Sequence, residues 1–411
     1  MIPRVVFLNP WDRLIGPNRY LLEMLRNLPD LARSATVVFD TANDAPEEYQ
    51  QIECSTQLWP EVSPIHPRLS AGNALRLVKT HTAGLARVVN RLRSLKPDVV
   101  ISNTENLWIG GMASRILGVP HLQVFHATTF KDRLSDHPWL VRAYLKVLSS
   151  LNRQFIGVSG AVTSALIESG VEHAQILRIP NPIDTNPYNI GNNALGLGDV
   201  NQSGRRDTVR YGNPVIICAG RISQMKGQDL LIRALPEVRK EFPGVKCLFA
   251  GRLGSDLGLD DTAKFYRDLL NQVASLGLES NVEFLGEVEG LSSLLGKADV
   301  YVQPSRTESF GRVVCESLLA GVPVAAFDVG GISEAAGPGG LLVPPADVPA
   351  LSQAIIRIVK NHDMGRELAA AGRAHVRRNF EAADVAQSFF KLIIDASPAR
   401  QYQERPAWIQ S

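Results

Sequence analysis

Cysteine is scarce. The 411 residues include four, Cys54, Cys218, Cys247 and Cys315, far apart and with no C-x-x-C pair. That spacing suggests neither a disulfide framework nor a zinc site, and the last three sit in apolar runs where Cys acts as a small hydrophobe. An excess of one charge is also missing: 43 Lys and Arg face 41 Asp and Glu, a formal charge of +2. A chain this balanced lacks the field that draws a nucleic-acid backbone, so no nucleic-acid partner is expected. No apolar run approaches the ~18 to 20 residues needed to cross a bilayer. The chain passes from Met1-Ile2-Pro3-Arg4 straight into Val5-Val6-Phe7-Leu8 without a cleavable apolar segment, which predicts a soluble, cytoplasmic protein. Two nucleotide signatures are absent as well. No G-x-G-x-x-G follows a strand candidate, which argues against a nicotinamide dehydrogenase. Gly290 to Lys297 has five residues between its glycines and no Ser or Thr after the lysine, which excludes a Walker loop.

What the chain does have is apolar residues, 45% against 20% charged, and a length that predicts two or three domains at about 150 residues each. Short apolar runs alternate with stretches of helical period, the pattern of helices packed on parallel sheets. Strand candidates in the first half are Val5–Leu8, Thr36–Phe39, Val99–Ser102, His121–Phe125, Phe155–Ser159 and Gln175–Ile179. In the second half they are Val215–Ala219, Lys246–Ala250, Val282–Leu285, Val300–Gln303, Val322–Phe327 and Gly340–Val343. Two such sets imply two doubly wound α/β domains. Between them, Asn181 to Asn213 holds Pro182, Pro187 and five glycines with few bulky apolar residues, a composition that buries no core. The expected division is therefore a first domain over 1–185, a linker over 186–213, a second domain over 214–382 and a terminal helix and tail over 383–411. Residues 42 to 73, with Pro46, Pro60, Pro64 and Pro67, read as a long excursion from the first sheet.

Chemistry concentrates in the second half. The stretch from Gln303 to Val324 runs from a buried strand into a polar loop, opens a helix near Phe310-Gly311 and closes it at Gly321-Val322-Pro323. Glu308 falls in the loop and Glu316 on the first or second helical turn, so both carboxylates line the C-terminal mouth of one sheet, where open sheets bind ligands. Free N–H groups at Phe310-Gly311 suit a phosphate, and carboxylates suit the hydroxyls of ribose or sugar. Strand Val215–Ala219 leads into Gly220-Arg221-Ile222-Ser223-Gln224-Met225-Lys226-Gly227, with a helix from Gln228 whose apolar stripe is Leu230, Leu231, Ala234 and Leu235. Gly220 lets a ligand approach the backbone, and Arg221 and Lys226 are placed to neutralise a leaving diphosphate from two sides. No metal-ligand cluster is visible to do so instead. A random pair of glutamates eight apart would be solvated helix residues; Phe310-Gly311 between them and the two cations upstream favour a sugar-nucleotide site.

The Gly-Arg-x4-Lys-Gly turn, the Glu-x7-Glu pair of Glu308 and Glu316, the Gly330-Gly331-Ile332-Ser333-Glu334 loop and the Ile179-Pro180-Asn181-Pro182-Ile183-Asp184 segment resemble the retaining family-4 glycosyltransferases of the GT-B fold. The resemblance spans nearly the whole chain, with the specific motifs between Arg221 and Glu334. It implies two facing Rossmann-like domains around an interdomain cleft, with the donor in the C-terminal one. Arg221 and Lys226 would bind the donor diphosphate, Glu316 the ribose, and Glu308 with the Ser309-Phe310-Gly311 backbone the transferred sugar. Gly251-Arg252 and Gly286-Glu287-Val288 would hold ribose and base. His126, after His121–Phe125, matches the family's histidine facing the sugar; the alternative is a structural histidine after a buried strand. Gly16, in Ile15-Gly16-Pro17-Asn18, stands where the family shows two glycines. The implied reaction moves a hexose or related sugar from a nucleoside diphosphate to an acceptor hydroxyl with retention, with no metal or other cofactor. A nucleotide-sugar epimerase and a non-catalytic sugar-nucleotide-binding protein are the alternatives.

One further stretch stands out. Arg68, Arg76, Lys79, Arg87, Arg91, Arg93 and Lys96 occur without a single Asp or Glu between them. At about 100° per residue Arg76, Lys79, Arg87 and Arg91 share a stripe opposite Val78, Leu85, Val89 and Leu92. That stripe is either the solvated back of a core-facing helix or a face that rests on anionic lipid at the inner side of a membrane, useful for a lipid-linked acceptor.

Overall fold

The computed structural model describes residues 2–10, 16–40, 47–62, 84–128, 138–188, 213–253 and 262–397. They divide into two units, Met1–Pro182 with Ala382–Ser411, and Ile183–Glu381. Each is an α/β unit built on one parallel sheet.

The first sheet has the order β3-β2-β1-β4-β5-β6-β7. Its strands are β1 Val5–Leu8, β2 Ala35–Phe39, β3 Ser55–Leu58, β4 Val99–Ser102, β5 His121–Phe125, β6 Gln154–Gly157 and β7 Ile176–Arg178. β1, β4 and β5 are buried along their whole length, since helices cover both faces; β1 is wholly apolar, whereas β5 buries His121 and Gln123 among its apolar residues. Helix α1 is Gly16–Arg26, and α2 spans 84–95. The expected excursion after residue 42 contributes to the sheet. Within it lie a short helix at Glu47–Gln51 and β3, paired in parallel with β2 from Thr36 opposite Ser55. β3 escapes a hydrophobic reading because Ser-Thr-Gln-Leu is a partly exposed edge strand.

The second sheet has the order β10-β9-β8-β11-β12-β13, from β8 Val215–Ala219, β9 Lys246–Ala250, β10 Val282–Gly286, β11 Val300–Gln303, β12 Val324–Phe327 and β13 Gly340–Val343. Helix α3, Gln228–Glu241, buries Leu230, Leu231, Ala234, Leu235 and Val238. α4 is Arg312–Leu319 and α5 is His362–Phe380. In both sheets the strand order reverses once, between β1 and β4 and between β8 and β11. Loops diverge there at the C-terminal strand ends and leave a crevice.

The chain leaves the first unit at Pro182, three residues before the expected boundary, because Ile183 is already core of the second: it is 1% exposed and its N–H donates to the Phe380 carbonyl at 2.8 Å. Thr185 Oγ1 donates to Glu381 Oε2 at 2.6 Å. The two crossings are thus stitched side by side. The expected linker keeps one short turn at Asn186–Tyr188, with Tyr188 packed on the second core; its residues 189–212 lie outside the described ones.

After the second crossing, helix α6 (Ala382–Ala396) packs on α1 in the first unit. Phe389 carries that contact. Its ring lies 6.3 Å from Phe7 and 6.2 Å, edge-on, from Tyr20, and it is 1% exposed. Phe389→Ala should therefore destabilise the first unit by about 3 to 5 kcal/mol, read as a lowered urea midpoint. An unchanged midpoint would place α6 outside the cooperative core.

Candidate functional site

At the β8/β11 reversal two loops meet. The turn after β8 runs through Gly220, Arg221 and Lys226 to Gly227, which has φ +69° and caps α3. A Cβ at Gly227 would lie 1.9 Å from the Pro304 carbonyl oxygen in the loop after β11, so a larger residue would push the loops apart. Gln228 holds the turn closed, accepting from Ser223 N–H at 3.3 Å and donating to the Arg221 carbonyl at 2.9 Å. Arg306 fastens the second loop onto the first. Its N–H donates to the Met225 carbonyl at 2.8 Å, and its guanidinium forks onto Asp229 at 2.8 and 2.6 Å, a geometry lysine cannot reproduce.

This closure brings Lys226 Nζ to 2.5 Å from Glu308 Oε2, with both side chains mostly buried. Glu308 Oε2 also accepts from Gln303 Nε2 at 3.4 Å, and Gln303 is steadied by Ser305 Oγ at 2.6 Å and by the Tyr301 hydroxyl. Burial pushes that phenol well above its ordinary value, so it stays neutral. From the other side Gly330, at φ +55°, packs so tightly that a Cβ would meet the Glu308 carbonyl oxygen at 1.8 Å, and Gly331 N–H donates to that carbonyl at 3.0 Å. Ser309 and Gly311 continue the loop into α4. Phe310 contributes backbone alone, since its ring is 3% exposed and packs edge-on to Phe380 at 5.0 Å. Glu316 lies on the second turn of α4, 3.5 Å from Arg312 Nε. Gly251 and Arg252 close the same edge: Gly220 N–H donates to the Ala250 carbonyl at 2.8 Å and Ile222 N–H to the Arg252 carbonyl at 3.1 Å. Val288 packs against the apolar core, which leaves that position its backbone for ligand contact.

The mouth of the first sheet is built from amides, an imidazole and one carboxylate, Glu105. Asn9 follows β1, Asn103 follows β4 and His126 follows β5. His126 Nε2 lies 2.9 Å from Asn103 Oδ1, its backbone N–H donates to Glu105 Oε2 at 3.2 Å, and its ring stands edge-on to Tyr20 at 5.1 Å. Burial lowers the imidazole to about 3. Asn103 also ties down the start of α1 by donating to the Pro17 carbonyl at 2.9 Å. Gly16, at the exposed tip of α1, has nothing within 4 Å of a Cβ position. Behind the mouth, fully buried His121 accepts from Ser102 Oγ at 2.9 Å and donates to Asn152 Oδ1. Asn152 donates to Gln123, whose Nε2 holds the carbonyls of Thr104 and Glu105 at 3.1 and 3.3 Å.

The chain as a whole is similar to known proteins. The family model described as Glycosyltransferase Family 4 matches residues 15–187, and the model described as Glycosyl transferases group 1 matches residues 202–375. The chain belongs to the family-4 glycosyltransferases. A GDP-mannose-dependent monoacylated alpha-(1-6)-phosphatidylinositol monomannoside mannosyltransferase of Corynebacterium glutamicum is 35% identical over 40% of this chain and 42% of its own length. The lipopolysaccharide core biosynthesis mannosyltransferase LpcC of Rhizobium leguminosarum is 28% identical over 70% of this chain and 76% of its own. The chain spans about half the length of the first curated relatives it matches, from 42% to 51%. Among solved structures, Anabaena HepE in complex with UDP superposes with a TM-score of 0.76 at 22% identity, covering 95% of this chain and all of HepE. That likeness identifies the fold as GT-B.

Within this family-4 protein, Gly220, Arg221, Lys226, Gly251, Arg252, Glu308, Ser309, Gly311 and Glu316 gather at the edge of the second sheet, while His126 and Gly16 belong to the first unit. The sequence reading missed Arg306, Asp229, Gln303 and the Asn9–Asn103 pair. It also missed the partner of the basic stripe. Arg87 Nε lies 2.7 Å and Arg91 Nη2 3.7 Å from Glu61 Oε1, a carboxylate 7% exposed, and Arg91 stacks over Trp59. Half of the proposed membrane face is thus engaged within the protein, and Arg76 and Lys79 lie outside the described residues. Among the described residues no helix is long and apolar enough to cross a membrane, and no three His, Cys, Asp or Glu form a metal-ligating group. The four cysteines are free and buried.

His121 gives a pH signature. Burial lowers it from 6.5 to about 4, so the unfolded chain takes up its proton first. Its contribution is fully present above about pH 6.5 and is lost as pH falls towards 4, about 3 kcal/mol in all. Urea unfolding should show this loss, and His121→Gln should flatten that part of the pH profile. An equally steep profile in the variant would contradict the assignment.

Proposed function

We propose that this protein transfers a hexose or related sugar from a nucleoside diphosphate to an acceptor hydroxyl, with retention at the anomeric carbon and without a metal. The observation that carries this reading is the Lys226–Glu308 pair, held with Arg221 at the β8/β11 reversal by backbone contacts that admit only glycine. Lys226 and Arg221 stabilise the diphosphate as negative charge develops on the leaving oxygen, the preorganised electrostatic role that a divalent ion plays elsewhere. Glu308, already beside the ammonium, orients it and accepts from sugar hydroxyls. The Ser309 to Gly311 backbone and the start of α4 offer N–H groups to the phosphates. Glu316 takes the ribose hydroxyls, and the backbone of Gly251-Arg252 and Gly286 to Val288 takes the base. In the first unit His126 accepts from a sugar hydroxyl. The mannosyltransferase relatives, one GDP-mannose-dependent and acting on a phosphatidylinositol monomannoside, the other in lipopolysaccharide core biosynthesis, support a nucleotide-sugar donor and an acceptor carried on a lipid, and a cytosolic enzyme meeting that acceptor at the inner face of a membrane fits both.

Kinetics separate these roles. Arg221→Ala and Lys226→Ala should each raise the barrier by about 2.7 to 4 kcal/mol, by analogy with loss of an oxyanion-hole donor. Near-normal turnover in both would refute the diphosphate assignment. Glu316→Gln should chiefly raise the donor KM, since a charge-assisted hydrogen bond becomes a neutral one. Glu308→Gln should chiefly lower kcat, because its contact strengthens as charge develops. The same split in both variants would mean that the pair is misassigned.

A further inference from the structure

Asn103 is 1% exposed and has both ends of its amide engaged. Its Nδ2 lies 2.9 Å from the Pro17 carbonyl oxygen and 2.9 Å from Asn9 Oδ1. A backbone carbonyl only accepts, so the end facing Pro17 must be the NH2 group, and this fixes which way the amide points. Asn9 is fixed in turn: its Oδ1 accepts from Asn103 and its Nδ2 donates to Asn18 Oδ1 in α1. Asn103 Oδ1 is therefore the atom 2.9 Å from His126 Nε2. An amide oxygen brings no proton to that contact, so the imidazole must supply it.

We infer that Asn103 is a positioning residue that sets the tautomer of His126, keeping the proton on Nε2 and leaving Nδ1 as a bare acceptor for an uncharged sugar hydroxyl. The first half is an inference about the free protein; the second rests on the proposed reading of His126 as a sugar contact. No hydrogen bond from a described residue reaches Nδ1. The nearby carboxylate of Glu105 meets the backbone N–H of His126, and the Tyr20 ring meets the imidazole edge-on. The burial that lowers the imidazole keeps it neutral at working pH, so Nδ1 carries a lone pair. A lone pair attracts an O–H donor and repels a carboxylate or phosphate oxygen. The substrate class is accordingly narrowed to sugars that present a hydroxyl there, and a uronic acid carboxylate in that position is disfavoured.

Nitrogen-15 NMR of the full chain labelled at its eight histidines, with His126 assigned from the missing signal of His126→Gln, reads the tautomer directly. The free protein should show Nε2 protonated and Nδ1 unprotonated, unchanged across neutral pH. A proton on Nδ1, or a mixture of tautomers, would overturn the inference without needing a variant. Asn103→Asp puts a carboxylate on Nε2–H and should draw a second proton onto Nδ1 near neutral pH, with at least a tenfold fall in kcat/KM. An unchanged ring spectrum in that folded variant would reduce Asn103 to packing and overturn the inference. Adding a nucleoside-diphosphate hexose that supports turnover should shift the Nδ1 resonance. If the tautomer is as inferred and Nδ1 ignores the bound donor and acceptor, the sugar-contact reading of His126 fails instead.

Discussion

A lysine and a glutamate 82 residues apart, held at 2.5 Å, set the terms for the rest of the second unit. Such a pair is of little use as a stabiliser, because the cost of desolvating two part-buried charges offsets most of their attraction. Its value is geometric. To meet, the loops after β8 and β11 must touch backbone to backbone, which only the missing side chain at Gly227 permits, and Gly330 must back the Glu308 peptide from the opposite side. The Arg306–Asp229 fork and the Gln228 brace then hold the loops shut. A cation is thus fixed in advance, with its anionic partner ready to be shared once a ligand brings negative charge of its own.

The first unit uses the same place in its topology with different chemistry. Where its strand order reverses, Asn9 and Asn103 stand at the ends of β1 and β4 and join α1 to His126 through neutral amides. Amides fix direction without adding charge, and the one carboxylate beside them, Glu105, is taken up by the His126 backbone N–H. Buried His121, Asn152 and Gln123 support it from behind by binding the backbone of the loop that carries Asn103 and Glu105. Two sheets of like topology thereby present edges of different chemistry, one built on a lysine–glutamate pair and one chiefly on amides.

Much of this is legible in the sequence because it is local. Fully buried parallel strands leave largely apolar runs, and the Gly-Arg-x4-Lys-Gly turn and the two glutamates sit within short, ordered segments. What could not be read is the set of contacts between distant, ordinary residues. Asp229 and Arg306 are 77 positions apart and Asn9 and Asn103 are 94 apart, and neither pair has a local signature. The basic stripe shows the same limit, since the acid that binds Arg87 and Arg91 is Glu61, upstream of the acid-free stretch. β3 was lost for another reason: an edge strand needs no apolar run.

The central claim is that the fixed cations of the second unit bind a nucleoside diphosphate without help from a metal. Calorimetric titration of the EDTA-treated protein with UDP, GDP and ADP tests it most directly. The account predicts that at least one binds one-to-one with no divalent ion present. Binding that appears only after Mg²⁺ or Mn²⁺ is added, or no binding of any of the three, would contradict it.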